Sequence, residues 1–206
     1  RGKKVLVTGH TGFKGSWLAL WLNSLGAEVS GYSLGSISEP SNFELLGLEE
    51  RIVHYTGDVR DKANLSSVID EVRPDIIFHM AAQALVKHSY DDPATTFETN
   101  TMGMVNVLDC VRIRPWIKAA VLITSDKAYK NVEWSWGYRE IDVLGGHDPY
   151  SCSKSCADLI AQSYFYSYLK DSPTKIAIAR AGNVIGGGDW AADRIVPDSI
   201  RAIEEN

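Results

Sequence analysis

Six short, nearly uninterrupted apolar runs recur along the chain, each followed by a longer segment of helical character. The runs are Lys4–Thr8, Glu28–Ser33, Ile52–Thr56, Ile76–Met80, Ala119–Thr124 and Lys175–Ala181. A strand that is apolar at almost every position, rather than at every second one, is buried on both faces. Only a parallel sheet covered by helices above and below provides that burial. The intervening segments supply the helices: Ser16–Leu25 ending at Gly26, Lys62–Val72 capped by Asp61 and closed before Pro74, Thr95–Val111, Tyr150–Leu169 and Val196–Glu205. Val105, Leu108 and Val111 fall on one face of the third. Right-handed crossovers then give a doubly wound α/β fold of Rossmann type, three layers deep, with ligands at the carboxyl ends of the strands.

The first run leads into Thr8-Gly9-His10-Thr11-Gly12-Phe13-Lys14-Gly15-Ser16, a GxxGxxG loop between a strand and a helix. Such a loop gives a tight turn, a backbone bare enough to approach a pyrophosphate, and a helix N-terminus whose free N–H groups favour anions. A nucleotide-triphosphate loop is the near rival, but it needs Gly before Lys, and here Lys14 precedes Gly15. A glycine turn without a ligand is the blander alternative, and the strand–loop–helix context argues for a dinucleotide. Gly9, Thr11, Gly12, Phe13, Lys14 and Gly15 are therefore the expected phosphate cradle. The acidic residue that ends the second strand in many such domains is missing from Gly31-Tyr32-Ser33. No Arg or Lys lies between Ser30 and Glu50 to hold a 2′-phosphate, which favours NAD over NADP. Asp58 and Val59, after the third strand, are placed to meet the adenine, although Asp58 also reads as a simple turn aspartate. Ala81 and Ala82, after the fourth, are small enough for a cofactor to pass. His79 reads as a packed histidine.

Tyr150 and Lys154 stand four apart on a helix and project from one face. An ammonium beside a phenol favours the phenolate, so the pair can take a proton from a hydroxyl while its carbon is oxidised. Ser125, at the end of the fifth strand, can bond the same oxygen. Next to it, Asp126-Lys127 reads either as an acid–base pair or as a surface ion pair worth little.

The stretches TGHTGFKGSWL (8–18), FHMAAQ (78–83), ITSDKAY (123–129), WGYRE (136–140), DPYSCSK (148–154) and RAGNVIGGGDW (180–190) resemble the extended short-chain dehydrogenase/reductases, in the epimerase/dehydratase family, and within it the nucleotide-sugar 4,6-dehydratases. The resemblance implies NAD as cofactor and a nucleotide hexose as substrate, CDP-glucose favoured. It implies oxidation at C4 by way of Tyr150, with Lys154 tuning the phenol and holding the nicotinamide ribose. Removal of the C5 proton would fall to Lys127, protonation of the departing C6 hydroxyl to Asp126, and hydride would return to C6. Related dehydratases often carry Glu where Lys127 stands, and a lysine acts as base only when neutral. Asn183 and Arg194 would contact the substrate diphosphate. Asn100 would lie near the cofactor, or be a buried structural asparagine with equal weight. The family pattern also implies a homodimer or tetramer through the helices near 95–111 and 150–169. A nucleotide-sugar epimerase or dehydrogenase on the same scaffold is the first alternative, and a non-catalytic NAD-binding regulator the second.

Residues 1–206 are thus expected to form one NAD-binding domain, with the elements after about residue 182 beginning the substrate side, and with most of a C-terminal substrate domain missing beyond Glu204-Glu205-Asn206. Net charge of −5 gives no support to a nucleic-acid or anionic-membrane partner. Cys110, Cys152 and Cys156 read as reduced packing thiols, and no metal site is expected. Arg1-Gly2-Lys3-Lys4 leads straight into a strand, so the reading is a soluble, cytoplasmic protein. Trp17 and Trp21 are expected to pack their helix against the sheet. Trp134, Trp136 and Trp190 fall on loops of the ligand-facing edge, with no assigned role.

Overall fold

In the computed structural model, which describes residues 1–36 and 38–205, six strands form one parallel sheet in the order β3-β2-β1-β4-β5-β6. They are β1 (Lys4–Thr8), β2 (Glu28–Ser33), β3 (Val53–Thr56), β4 (Ile76–His79), β5 (Ala119–Ile123) and β6 (Lys175–Ala179). The chain reverses its winding between β1 and β4, and that switch point opens a crevice at the carboxyl ends.

Alternation along β1 shows how the layers form. Leu6 points into a core built with α3 (Lys62–Val72), α6 (Gly103–Arg112) and α7 (Pro149–Tyr164), where Leu65, Ile69, Leu108 and Ala161 are sealed from solvent. Val5 and Val7 point the other way, into a second core with Ala19 of α1 (Phe13–Ser24), Phe43 of α2 (Asn42–Leu45) and Leu48. Helices cover both faces, as expected of a doubly wound sheet, but unequally. On the side of α1 and α2, Val121 and Ile123 of β5 are only half-buried, and α8 (Ile195–Glu204) buries none of its residues.

The helix ends follow local chemistry. Asp61 accepts from the Asn64 amide at 3.0 Å and starts α3, as its position predicts. Gly26 closes the turn after α1 with φ +81°, a conformation natural to glycine. The helix expected over 95–111 is a compound one: α5 (Pro93–Phe97), a wide π-type turn at Glu98–Met102, then α6. A second π-type turn, Phe165–Leu169, ends α7. The structure adds α2 and α4 (Val86–Asp91), two short helices without a periodic signal. Asn206, where the sequence ends, lies outside the described residues.

Trp17 and Trp21 do not pack on the sheet. They are 43% and 63% exposed, because Gly15, Ser16 and Ala19 form the sheet-facing side of α1. Small residues there bring the helix close to the strands, and the indoles are left outside. Among the described residues, no helix is long and apolar enough to cross a membrane.

Candidate active site

Two cavities meet along the carboxyl edge. The smaller, of about 200 Å³, runs over the glycine loop and is lined by Gly9, Thr11, Gly12, Phe13, Lys14 and Gly15, then by Asp58, Val59, Ala81 and Ala82, and finally by Lys154. The larger, of about 620 Å³, is lined by Ser125, Lys127, Asn183, the 184–190 loop and the inner face of α8. Tyr150, Thr124, Lys14 and Arg194 line both.

The loop's shape depends on missing side chains. A Cβ on Gly15 would sit 2.1 Å from the Gly9 carbonyl oxygen, and one on Gly9 would sit 2.7 Å from the Ala81 nitrogen. Gly9 also holds φ +76°. The bare backbone thus brings the first turn of α1 against the strand ends, with Phe13, Lys14 and Gly15 lining the smaller cavity. At the end of β2, where an acid was looked for, Thr11 Oγ1 shares a 2.7 Å hydrogen bond with Ser33 Oγ and donates to the Leu34 carbonyl at 3.0 Å. Ser33, Gly35 and Asn42 line the cavity here, and sequence reasoning gave none of them a role in the site. Asp58 is gripped by Arg60, whose Nε and Nη2 donate to Oδ2 at 2.9 and 2.6 Å, and these hydrogen bonds hold its carboxyl below the usual range.

His10 and His79 are buried. His79 Nδ1 lies 2.8 Å from Thr8 Oγ1, and loss of solvent lowers its pKa to about 3, in keeping with a packed histidine. His10 reaches His54 at 2.6 Å, and burial followed by repulsion from His54 lowers it to about 4.

Ser125, Tyr150 and Lys154 converge where the cavities join. The Ser125 hydroxyl donates to Asp126 Oδ1 at 3.0 Å and accepts from the Lys127 amide at 3.2 Å. Lys154 is buried, lies 3.5 Å from the Ile123 carbonyl, and is lowered to about 8 by loss of solvent and then by repulsion from Lys14. One expectation is corrected here. The Tyr150 pKa is raised, not lowered: burial is the largest influence, and the nearby Ser125 hydroxyl and Arg194 only partly oppose it.

Lys127 Nζ donates to Asn183 Oδ1 at 3.1 Å and stands 3.6 Å from Asp126 Oδ1, both side chains being well exposed. Asp126 lies beside Gly182, outside the lining of either cavity. Arg194 meets Asp189 at 3.4 Å, while its Nε is buried with no partner. Asn100 lines neither cavity. Its amide is spent on the Gln83 backbone at 2.8 and 3.0 Å and on Ser153 Oγ at 2.9 Å, which fits the structural reading. Trp190 borders both cavities, whereas Trp134 packs on Tyr138 and Trp136 is 75% exposed, both away from them.

Comparison with known proteins adds names to this arrangement. Residues 6–184 match the family described as GDP-mannose 4,6 dehydratase. Along its whole length the chain is 51% identical to a CDP-glucose 4,6-dehydratase of Salmonella typhimurium, of which it spans 59%. It is 28% identical to a CDP-paratose 2-epimerase of Salmonella typhi, with 91% of this chain and 59% of that one aligned. Among solved structures, a dTDP-glucose 4,6-dehydratase double mutant from Streptomyces venezuelae, with NAD and DAU bound, superposes with a TM-score of 0.84 at 24% identity, over 98% of this chain and 62% of that one. A UDP-glucose 4-epimerase of Thermus thermophilus in complex with NAD gives 0.76 at 29% identity, over 92% of this chain and 58% of that one.

Proposed function

Because the chain belongs to the GDP-mannose 4,6 dehydratase family, we propose that it carries the cofactor site and catalytic edge of an NAD-dependent nucleotide-sugar 4,6-dehydratase acting on CDP-glucose. One observation carries the reading: Tyr150 lines both a glycine-cradled cavity and a larger one, which Ser125 also lines. A dinucleotide in the first and a sugar nucleotide in the second would meet at that phenol. The 51% identity to a CDP-glucose 4,6-dehydratase supports the choice of substrate.

The cavity suits NAD, since the Gly9 and Gly15 contacts leave no room for a Cβ and set the start of α1 beside it. Hydroxyls rather than cations at the end of β2 suit a free ribose 2′-OH. When bound, the cofactor would supply reversible two-electron chemistry, taking a hydride from the sugar's C4 and returning it to C6. The chain's residues do the rest. Gly12 to Gly15, with Thr11 and Lys14, hold the pyrophosphate, and Asp58 and Val59 meet the adenine. Lys154 holds the nicotinamide ribose and favours the Tyr150 phenolate, against the burial that otherwise keeps the phenol protonated. Tyr150 takes the C4 hydroxyl proton and Ser125 steadies that oxygen. The resulting ketone acidifies C5–H. Lys127 takes that proton. Asp126, 3.6 Å from Lys127 on the rim of the larger cavity, turns in to give one to the C6 hydroxyl, and water leaves. The hydride from C4 and the proton held by Lys127 return to C6 and C5. Asn183 and Arg194 hold the diphosphate.

The test uses the full-length protein with NAD and CDP-glucose, read by mass spectrometry. A 4-keto product lighter by one water is expected. An unchanged mass would instead indicate the epimerase reading, favoured by the epimerase likeness, and a product lighter by two hydrogens a simple dehydrogenase.

A further inference from the structure

Beneath the catalytic edge lies a buried charge pair that the chemistry above does not use. Asp158 is fully enclosed and Arg180 is 13% exposed. Arg180 Nε and Nη2 donate to the two oxygens of Asp158 at 2.7 and 2.8 Å, a bidentate fork. The same carboxylate accepts from Thr124 Oγ1 at 3.2 Å and from Gln162 Nε2 at 2.8 Å. The third nitrogen of the guanidinium, Nη1, donates to the Tyr129 hydroxyl at 2.9 Å and to the Glu140 carbonyl at 3.1 Å.

We propose that Asp158 and Arg180 are positioning residues that set the register of Ser125 against Tyr150 and so control turnover. This rests on the redox reading of that pair. Asp158 follows Tyr150 and Lys154 at successive four-residue steps, on the same side of α7. It ties that side to Thr124, the residue before Ser125. On the opposite edge, the Thr124 amide donates to the Ala179 carbonyl at 3.0 Å, and the Asp126 amide to the Ala181 carbonyl at 3.0 Å. Arg180 sits between those two carbonyls. Ser125 is therefore fixed from both flanks: by backbone bonds to the end of β6, and by Asp158 to the helix that carries the phenol. Arg180 joins the two flanks and also grips the loop after Lys127.

Stability alone does not account for such a pair. Exchanging a buried ion pair for apolar groups of similar volume is often neutral or stabilising. What the fork supplies is geometry, since a guanidinium facing a carboxylate fixes two planes at once. Burial raises the Asp158 carboxyl, but its bonds from Arg180, Gln162 and Thr124 outweigh that and hold it ionised.

The test compares four full-length proteins loaded with NAD and given CDP-glucose: the unaltered protein, Tyr150→Phe, the double variant Asp158→Leu/Arg180→Met, and Arg180→Lys. The double variant should bind NAD within about twofold of the unaltered protein and keep KM within about threefold, while kcat falls by about 10- to 100-fold. Arg180→Lys keeps the charge without the fork and should recover part of that loss. A kcat within about twofold of the unaltered protein in the double variant would overturn the proposal, because a merely structural pair would move stability and not this split. If the double variant does not fold, Arg180→Lys decides alone: a kcat loss with unchanged NAD affinity supports positioning, and an unchanged kcat overturns it. Should the unaltered protein release no dehydrated sugar, or Tyr150→Phe turn over normally, it is the redox reading that fails. Loss of turnover in Tyr150→Phe with none in the pair variants sinks the positioning role alone.

Discussion

The two halves of the crevice edge hold their shape in opposite ways. On the β1–β3 side the recognition surface is backbone, kept in place by what is missing. Gly9, Gly15, Gly31 and Gly57 each bring backbone or a ring so near that a Cβ would lie 2.1 to 2.7 Å from it. On the β4–β6 side the working groups are side chains, kept in place by what has been added. The Asp158–Arg180 fork braces Thr124, and Asn100 braces Gln83 and Ser153. Ser153 in turn donates to the Tyr150 carbonyl at 2.7 Å. A surface made by exclusion fails when an atom is added, whereas one made by bracing fails when a partner is removed.

The strongest test of the braced side is Asp158→Ala, which leaves Arg180 buried without its counter-charge. Removing one partner of such a pair costs about 3–5 kcal/mol, far more than replacing both. Urea unfolding should show that loss at neutral pH. A change below about 1 kcal/mol would mean that Arg180 finds solvent or a new acceptor, and the contrast between the halves would weaken.

On the excluded side, Gly15→Ala adds a methyl 2.1 Å from the Gly9 oxygen and 2.8 Å from the His10 Cα, both backbone atoms that cannot swing aside. Overpacking against backbone should cost about 3 kcal/mol and displace the amides from their ligand. Titration with NAD should show weakened binding along with the lower denaturation midpoint. Intact affinity in a folded variant would show that the loop, contrary to the contrast, adapts.

That difference also explains what the sequence made legible. Exclusion leaves a mark in the chain itself: three glycines at fixed spacing between a strand and a helix, readable without coordinates. The six apolar runs were equally plain, and with right-handed crossovers they implied a doubly wound sheet, whose strand order the fold supplies. Tyr150 and Lys154 could be paired because four residues make one helical turn. Bracing leaves no such mark. Arg180 lies 22 residues from Asp158, and Asn100 lies 53 from Ser153, so only the fold brings each pair together. The one available signal was the four-residue step from Lys154 to Asp158, which places a carboxylate on the catalytic side of α7. Trp17 and Trp21 misled for a related reason: their spacing fixes a shared helix face but not which face meets the sheet. The small residues Gly15, Ser16 and Ala19 settle that.

Acid sets the two histidines, His10 and His79, against the rest of the core. His79 is neutral in the folded protein with a pKa of about 3, while an unfolded histidine titrates near 6.5. Between those values the unfolded chain binds more protons. The associated stability is therefore complete above about pH 6.5 and is lost as pH falls below it. For His79 the loss should reach about 2 kcal/mol at pH 5. His10, lowered to about 4, adds in the same direction. His79→Leu should flatten the slope of stability between pH 7 and 5, and an unchanged slope would place the acid sensitivity elsewhere.

The smallest expected change in stability falls on the residue with the largest assigned chemistry. Lys127 touches Asn183 at 3.1 Å and Asp126 at 3.6 Å, with both charged side chains well exposed. An ion pair in that setting contributes about 0–1 kcal/mol, so Lys127→Ala should unfold almost where the unaltered protein does. Its NAD affinity should also hold, because Lys127 borders only the larger cavity. Elimination of water should nonetheless stop, since no other side chain is assigned to the C5 proton. Mass spectrometry of the full-length variant would show substrate, or its 4-keto form, with no dehydrated product. Normal dehydration by that variant would leave Lys127 as a surface cation and its ion pair as decoration. A loss of stability well above 1 kcal/mol would reveal bracing on the crevice's exposed rim, where the comparison of the two halves has none.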